Sequence, residues 1–169
     1  MGIAELLQQK SFLGKEFLTW LWFRSEIDPH MERKGSKPAE VEVMGPIVLD
    51  AHYGDAREAG LKGEAAVLSA EAGEALRQGK KLKRARVKIS CDAMDWTATV
   101  DGEKLAVTGL NVPASGKLPF AEGLRLRADY IFEFETILSD LFESFILLRL
   151  DEPSWKTEID KIQAWVAEK

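Results

Sequence analysis

Seven basic side chains within one short segment are the residues of this sequence that are best placed to bind a ligand. They lie in RQGKKLKRARVK, which contains no acid, and are Arg77, Lys80, Lys81, Lys83, Arg84, Arg86 and Lys88. Lysine and arginine neutralise backbone phosphates without distinguishing bases, so this density predicts sequence-independent contact with a nucleic acid. The rest of the chain carries 16 basic and 28 acidic residues, so positive charge is concentrated here although the net charge is −5.

A strand is predicted to present this basic cluster. Aliphatic residues alternate with charged ones over 82–92, and side chains of a regular strand alternate between its two faces. One face then carries Leu82, Arg84, Arg86 and Lys88, and the other carries Lys83, Ala85, Val87, Ile89 and Cys91. A second interpretation stays open, because charged side chains also keep an edge strand from aggregating.

Other residues that could do chemistry are few and scattered. His52 lies between Asp50 and Asp55 without a second histidine nearby, whereas a zinc site needs more ligands at closer spacing. Three acids, Glu133, Asp140 and Glu143, share one face of a predicted helix, where a solvated position is the usual explanation. Gly116-Lys117 lacks the spacing of a phosphate-binding loop. The sequence therefore predicts no enzyme activity, no metal and no cofactor.

Composition indicates one globular domain in the cytoplasm. Hydrophobic residues make up 46% of 169 residues, which is enough for a core without disulfides. Cys91 is the only cysteine, so no internal disulfide can form. The N-terminal sequence MGIAELLQQK does not resemble a signal peptide, and no apolar run is long enough to span a bilayer.

An aromatic helix is predicted over 10–28, ending at Asp28-Pro29. It is apolar nearly all round, which indicates burial either in a core or in an interface between chains. Four aromatic residues are assigned to an oligomer interface, and they are Phe17, Trp20, Trp22 and Phe23. Together with an apolar stripe from Ile131 to Leu148 they predict a homo-oligomer.

A sheet region is predicted over 40–112. It follows a loop over 30–40 and begins with a strand over 41–53, bulged at Gly45-Pro46 because proline cannot donate within a ladder. Further strands are predicted over 60–68, 82–92, 95–100 and 104–110, with a hairpin at Asp101-Gly102. Ser69 is predicted to cap a short helix over 70–78. A loop over 111–123 precedes the C-terminal helices.

Two helices are predicted over 123–167, separated at Pro153. The first has apolar residues at steps of three and four from Ile131 to Leu148, and the second buries Ile159, Ile162 and Val166. The fold class predicted is α+β: an antiparallel sheet of four or five strands with an N-terminal buried helix and a C-terminal helical pair.

The order of these segments resembles the C-terminal half of the recombination-associated RdgC proteins. Three stretches carry the resemblance: GKEFLTWLWFRSE over 14–26, LSAEAGEALRQGKKLKRARVKI over 68–89, and RLRADYIFE over 125–133. The third departs from the family pattern at Leu126 and Arg127, and the N-terminal portion of the family has no counterpart here. The chain would be a short, N-terminally truncated relative.

The resemblance implies a protein that binds double-stranded DNA without sequence preference and modulates recombination as a homodimeric ring. Lys80, Arg84 and Lys88 match basic positions of the family. Nonspecific, salt-sensitive binding to duplex DNA and association with the nucleoid are the resulting expectations. The alternative is a protein-interaction or oligomerisation module that does not bind nucleic acid and whose basic strand meets an acidic partner.

Overall fold

The computed structural model describes residues 3–51, 58–114 and 116–169, with side chains from residue 13 onward. Four helices belong to the fold: α1 (Ile3–Ile27), α2 (Ala70–Arg77), α3 (Phe120–Leu150) and α4 (Glu152–Glu168). Six strands accompany them: β1 (His30–Arg33), β2 (Ser36–Asp50), β3 (Glu58–Leu61), β4 (Lys81–Cys91), β5 (Met94–Asp101) and β6 (Ala106–Asn111). The predicted α+β class is confirmed, with six strands in place of four or five.

The sheet is antiparallel, and its order is β1-β2-β4-β5-β6. β1 and β3 pair with the same edge of β2: β1 pairs with its first part and β3 with its last part. Buried residues alternate with partly exposed ones along β2, β4 and β5. One face of the sheet is therefore covered, and the other, the open face, meets solvent.

Helix α1 lies between the covered face and the C-terminal helices. It contacts β2 and β4 on one side and α3 and α4 on the other. Two glycines make this close packing feasible, since a Cβ added to Gly102 would lie 2.7 Å from the Gly14 carbonyl oxygen and one added to Gly14 would overlap the Gly102 carbonyl oxygen. An apolar helix with two covered sides explains why its sequence shows no single apolar face.

Turns explain several differences from the predicted elements. The segment over 30–40 is not a loop, because Lys34 and Gly35 form a tight turn between β1 and β2, and Gly35 has a φ of 71°. Of the strand predicted over 60–68, only Gly60 and Leu61 are extended, as the end of β3, and Glu64–Leu68 forms a 3-10 turn. Asp92 and Ala93 join β4 to β5 with positive φ angles, a backbone that matches the twist of a hairpin.

Several predicted boundaries are confirmed. Ser69 accepts a hydrogen bond from the Ala72 N–H and so caps α2. The register of β2 shifts between Met44 and Ile47, which places the predicted bulge at Gly45-Pro46. The end of the strand predicted over 41–53, including His52, lies outside the described residues.

The C-terminal pair begins earlier and packs differently than predicted. α3 starts at Phe120, inside the segment predicted as a loop, and buries Phe134, Ile137, Leu141 and Phe145. α4 is capped by Asp151, which accepts from the Ser154 N–H. Its fully buried side chains are Glu158 and Trp165, while Ile159, Ile162 and Val166 are only partly buried.

Candidate functional site

The basic cluster lies mainly on β4, and a bulge in this strand changes which side chains share a face. Leu49 pairs with Leu82 and Val48 with Arg84, so Lys83 is an extra residue in the ladder. A bulge of this kind shifts the alternation by one residue. Leu82 is consequently fully buried with Ala85, and the prediction that it shares a face with Arg84 is wrong.

Three basic residues form a row on the open face: Arg84, Arg86 and Lys88. Their burial pattern agrees with the predicted alternation from Arg84 onward, so the sequence located this row correctly. Across the ladders, Met44 and Thr99 flank Arg86, while Glu42 and Thr97 flank Lys88. The row thus has an acidic residue beside it on β2.

Arg84 is paired with an acid of the next strand. Its Nη2 lies 2.9 Å from the Asp101 carboxylate, which also accepts hydrogen bonds from the N–H groups of Glu103 and Lys104. Burial acts to raise the pKa of Asp101, but the Lys104 N–H and the Arg84 guanidinium together hold that pKa below its usual range. The Arg84 charge is therefore neutralised within the fold.

Lys88 is neutralised at the other end of the row. Its Nζ lies 3.2 Å from the Asp95 carboxylate, and the Ser90 hydroxyl donates to the same acid at 2.6 Å. The Ser90 hydrogen bond, followed by the Lys88 ammonium, lowers the pKa of Asp95. Asp95 therefore stays ionised at neutral pH and balances the charge of Lys88.

Three flanking basic residues also have carboxylate partners. Lys83 Nζ lies 2.9 Å from Glu58 and 3.2 Å from Glu103, and the hydrogen bond to Glu58 is the main cause of the raised pKa of Lys83. Lys81 pairs with Glu16 at 3.0 Å, and Arg77 pairs with Glu74 at 3.0 Å. The pairs of Lys81 and Lys83 bring acids that are distant in sequence next to the basic segment.

Arg86 and Lys80 differ from the other five basic residues. Within the described residues, neither side chain has a carboxylate within 4 Å. The segment predicted to carry seven positive charges towards phosphates therefore offers two that are not balanced by an adjacent acid.

The four aromatic residues assigned to an oligomer interface lie in the core. Phe17, Trp20, Trp22 and Phe23 are each at most 6% exposed. Helices α3 and α4 cover them, as the Phe17–Phe142 and Trp22–Trp165 ring pairs show, with centroids 5.1 Å and 5.4 Å apart. The interface prediction for these four residues is corrected, since they are satisfied within one chain.

Exposed apolar surface lies instead on the first half of α3. Phe120 is 87% exposed, Leu124 59% and Phe132 71%, and no side chain of this helix is fully buried before Phe134. Tyr130 anchors the segment, because its carbonyl accepts from the Trp96 Nε1 at 3.0 Å. Sequence reasoning missed the first part of this surface, since Pro113, Gly116 and Pro119 around it predict a loop.

A hollow of about 270 Å³ continues this surface. It lies between α3 and the end of the sheet, and its apolar lining includes Phe17, Leu105, Val107, Leu138 and Phe142. Leu105 and Val107 are each 37% exposed at its rim. We name the residues Phe120, Leu124, Ile131, Leu138 and Phe142 the α3 stripe. The stripe runs from the exposed beginning of α3 into the hollow.

Two acids on α3 that were predicted to be solvated belong to an ion-pair cluster. Arg33 is buried on β1, and its guanidinium lies 2.9 Å from Asp140 and 3.9 Å from Glu133. Cys91 is buried and lies 3.9 Å from Arg33 Nη1. Among the residues that the structure describes, no group of His, Cys, Asp and Glu side chains is placed to hold a metal ion.

No helix within the described ranges has the length and apolar composition needed to cross a membrane. Comparison with protein-family models, curated proteins and solved structures finds no match to this chain.

Proposed function

We propose that this chain is a protein-interaction module that self-associates through the first half of α3. The observation that carries the proposal is the exposure of Phe120, Leu124 and Ile131 along one side of a helical segment with no fully buried side chain. Exposed apolar surface of this kind typically marks an interaction site.

The low burial of the first part of α3 supports the same proposal. The ten residues from Phe120 to Asp129 extend about 15 Å ahead of the anchor at Tyr130. These residues continue a packed helix, but none of their side chains is fully buried, so tertiary packing stabilises them little. A partner that covers Phe120 and Leu124 would supply the missing burial, at roughly 25 cal/mol for each Å² of apolar surface removed from water.

The electrostatics of the open face favour this module over a nucleic-acid binder. Five of the seven basic residues predicted to contact DNA have acidic partners within 4 Å. A phosphate approaching Arg84 or Lys88 also approaches Asp101 or Asp95, so the attraction and the repulsion largely cancel. The chain as a whole is acidic, with net charge −5.

Light scattering between about 1 and 100 µM tests the proposal, because dissociation constants in this range correspond to about 5–8 kcal/mol. We expect a dimer or larger species, and we expect Leu124→Asp to convert it to a monomer. Leu68→Asp is the matched control, since Leu68 is an exposed leucine on the 3-10 turn. A monomeric wild-type chain at 100 µM contradicts the proposal.

A second candidate function is nonspecific binding of duplex DNA, as the resemblance to RdgC proteins implies. The observation that favours it is the absence of an acidic partner at Arg86 and Lys80 within the described part of the chain. Each phosphate neutralised contributes about −0.9 to the slope of log K against log salt concentration. Two contacts therefore predict a slope near −2, which is shallower than seven separate charges would give.

Fluorescence polarisation with random duplex DNA at several salt concentrations tests this second candidate. We expect Arg86→Gln to reduce the slope by about 0.9. Arg77→Gln, which removes a charge already paired with Glu74, should leave it unchanged. An equal reduction of the salt slope in both variants excludes duplex contact through Arg86. The same conclusion follows if the wild type does not bind DNA at 50 mM salt.

A further inference from the structure

We infer that α3 pairs with α3 of a second copy in antiparallel orientation, with a two-fold axis at Ile131. This inference rests on the proposed self-association and specifies its geometry. It follows from the spacing of the α3 stripe, from the shape of the two halves of α3 and from two unpaired charges.

The spacing of the stripe is symmetrical about Ile131. Leu124 and Leu138 are each seven residues away, and Phe120 and Phe142 are each eleven residues away. Seven and eleven residues are close to two and three whole turns of an α-helix, so all five side chains share one direction. A two-fold axis at Ile131 then places Phe120 opposite Phe142 of the second copy, and Leu124 opposite Leu138.

The two halves of the stripe also differ in shape in a complementary way. Phe120 and Leu124 protrude, with 87% and 59% of their surfaces exposed. Leu138 and Phe142 are partly buried and line the hollow of about 270 Å³. A cavity of about 150 Å³ already accommodates benzene, so the hollow has room for the ring of Phe120 from a second copy. An identical, antiparallel partner buries the protruding half of each stripe and fills the hollow beside the other half at the same time.

Charges beside the stripe select the antiparallel orientation. Arg127 and Glu135 are each four residues from Ile131, both are exposed, and neither has an ion-pair partner within the described residues. Under the two-fold axis, Arg127 of each copy lies opposite Glu135 of the other. Parallel pairing in register would place Arg127 beside Arg127, which is repulsive. The stripe and its flanking charges are thus self-complementary, which favours a second copy over an unrelated apolar helix.

Cysteine cross-linking tests the position of the axis. A residue on a two-fold axis faces its own copy, so Ile131→Cys should form a covalent dimer under mild oxidation. Phe132→Cys is the matched control, because it is one residue away and more exposed but points about 100° from the stripe. The wild-type chain controls for Cys91, which is buried. Comparable cross-linking of both variants, or none at position 131 in a chain that light scattering shows to be dimeric, overturns the antiparallel geometry but leaves self-association intact.

Charge exchange tests the orientation independently. Arg127→Glu and Glu135→Arg should each weaken self-association, on the order of tenfold, because two attractive pairs per dimer become repulsive. An equimolar mixture of the two variants should restore association at least to the wild-type level, since each repulsive pair is replaced by an attractive one. A mixture as weak as either variant alone contradicts the inference. A wild-type chain that is monomeric throughout would instead remove the proposed function on which the inference rests.

Discussion

Arg84 and Asp101 lie opposite each other on β4 and β5, and one carboxylate serves both the basic strand and the following turn. Oδ2 of Asp101 accepts from the Arg84 guanidinium, while Oδ1 accepts from the N–H groups of Glu103 and Lys104. Asp101 therefore connects charge neutralisation on the open face to the chain reversal between β5 and β6.

We predict that Asp101→Ala destabilises the fold by about 2 kcal/mol, because it leaves two backbone donors and one guanidinium without their acceptor. Arg84→Gln should cost about 1 kcal/mol or less, since the Arg84 side chain is 47% exposed and can be solvated. Urea denaturation monitored by tryptophan fluorescence measures both values. Arg86→Gln, which breaks no ion pair in the described structure, is the control and should change stability by less than about 0.5 kcal/mol. If Asp101→Ala and Arg84→Gln lower the free energy of unfolding by the same amount, this account is wrong.

Stability is predicted to depend on pH through Asp101. Its pKa is lowered in the folded state, so its stabilising contribution is present above the unfolded pKa of about 3.9. That contribution is lost as the pH falls from about 5 through the folded pKa. The free energy of unfolding of the wild type should therefore decline in this range more steeply than that of Asp101→Asn. Parallel pH profiles for the two proteins would show that Asp101 does not contribute to acid destabilisation.

The contact between Gly14 and Gly102 predicts an unusual response to alanine. Gly→Ala within a helix ordinarily stabilises by about 1 kcal/mol. At Gly14 we expect a loss of about 2 kcal/mol or more, because the added Cβ would overlap the Gly102 carbonyl and force α1 away from the sheet. Gly60→Ala is the control, since its Cβ would meet no atom of the described residues within 4 Å. Thermal denaturation compares them, and a stabilising Gly14→Ala contradicts the packing described.

Glu158 on α4 is predicted to be structural. Its carboxylate is 7% exposed, accepts from the Trp20 Nε1 at 3.0 Å and lies 3.9 Å from Arg24. Glu158→Ala should cost about 2–3 kcal/mol, because the buried Trp20 indole N–H loses its acceptor and the Arg24 guanidinium, which keeps its hydrogen bond to Asp28, loses a nearby carboxylate. Asp160→Ala, on an exposed position of the same helix, should change stability by less than about 0.5 kcal/mol. Similar urea midpoints for the two variants would show that Glu158 is dispensable.

Local signals in the sequence predicted much of the fold. The cap at Ser69, the alternation from Arg84 onward and the apolar periodicity of α3 each depend on neighbouring residues, and the structure confirms them. β1 was missed because Gly35 and Pro38 suggest a loop, although the pairing with β2 tolerates both. The bulge at Lys83 has no local signature, since only the register with β2 shows that one residue is extra.

Distant residues explain why the pairing of the basic segment with acids could not be predicted from the sequence. The acids that neutralise Lys81 and Lys83 come from α1, β3 and the turn after β5. Likewise, the apolar sequence of α1 indicates that the helix is buried, but not whether its own chain or a second chain covers it. Trp165 and Phe142 of the same chain cover it, and both are more than 100 residues away in sequence. Phe120 was predicted in a loop, so the protruding end of the α3 stripe was not recognised.

The two-residue connection between β4 and β5 has a consequence for the order of folding. Closing this hairpin orders few residues, whereas pairing Asp50 with Lys81 closes a loop of about 30 residues at a greater entropic cost. We therefore expect the β4–β5 hairpin to form before β2 docks on it. Asp101 and Asp95 both belong to this hairpin, so the first structured intermediate already neutralises Arg84 and Lys88. A newly synthesised chain would then present these two charges of its basic segment to cellular polyanions only briefly.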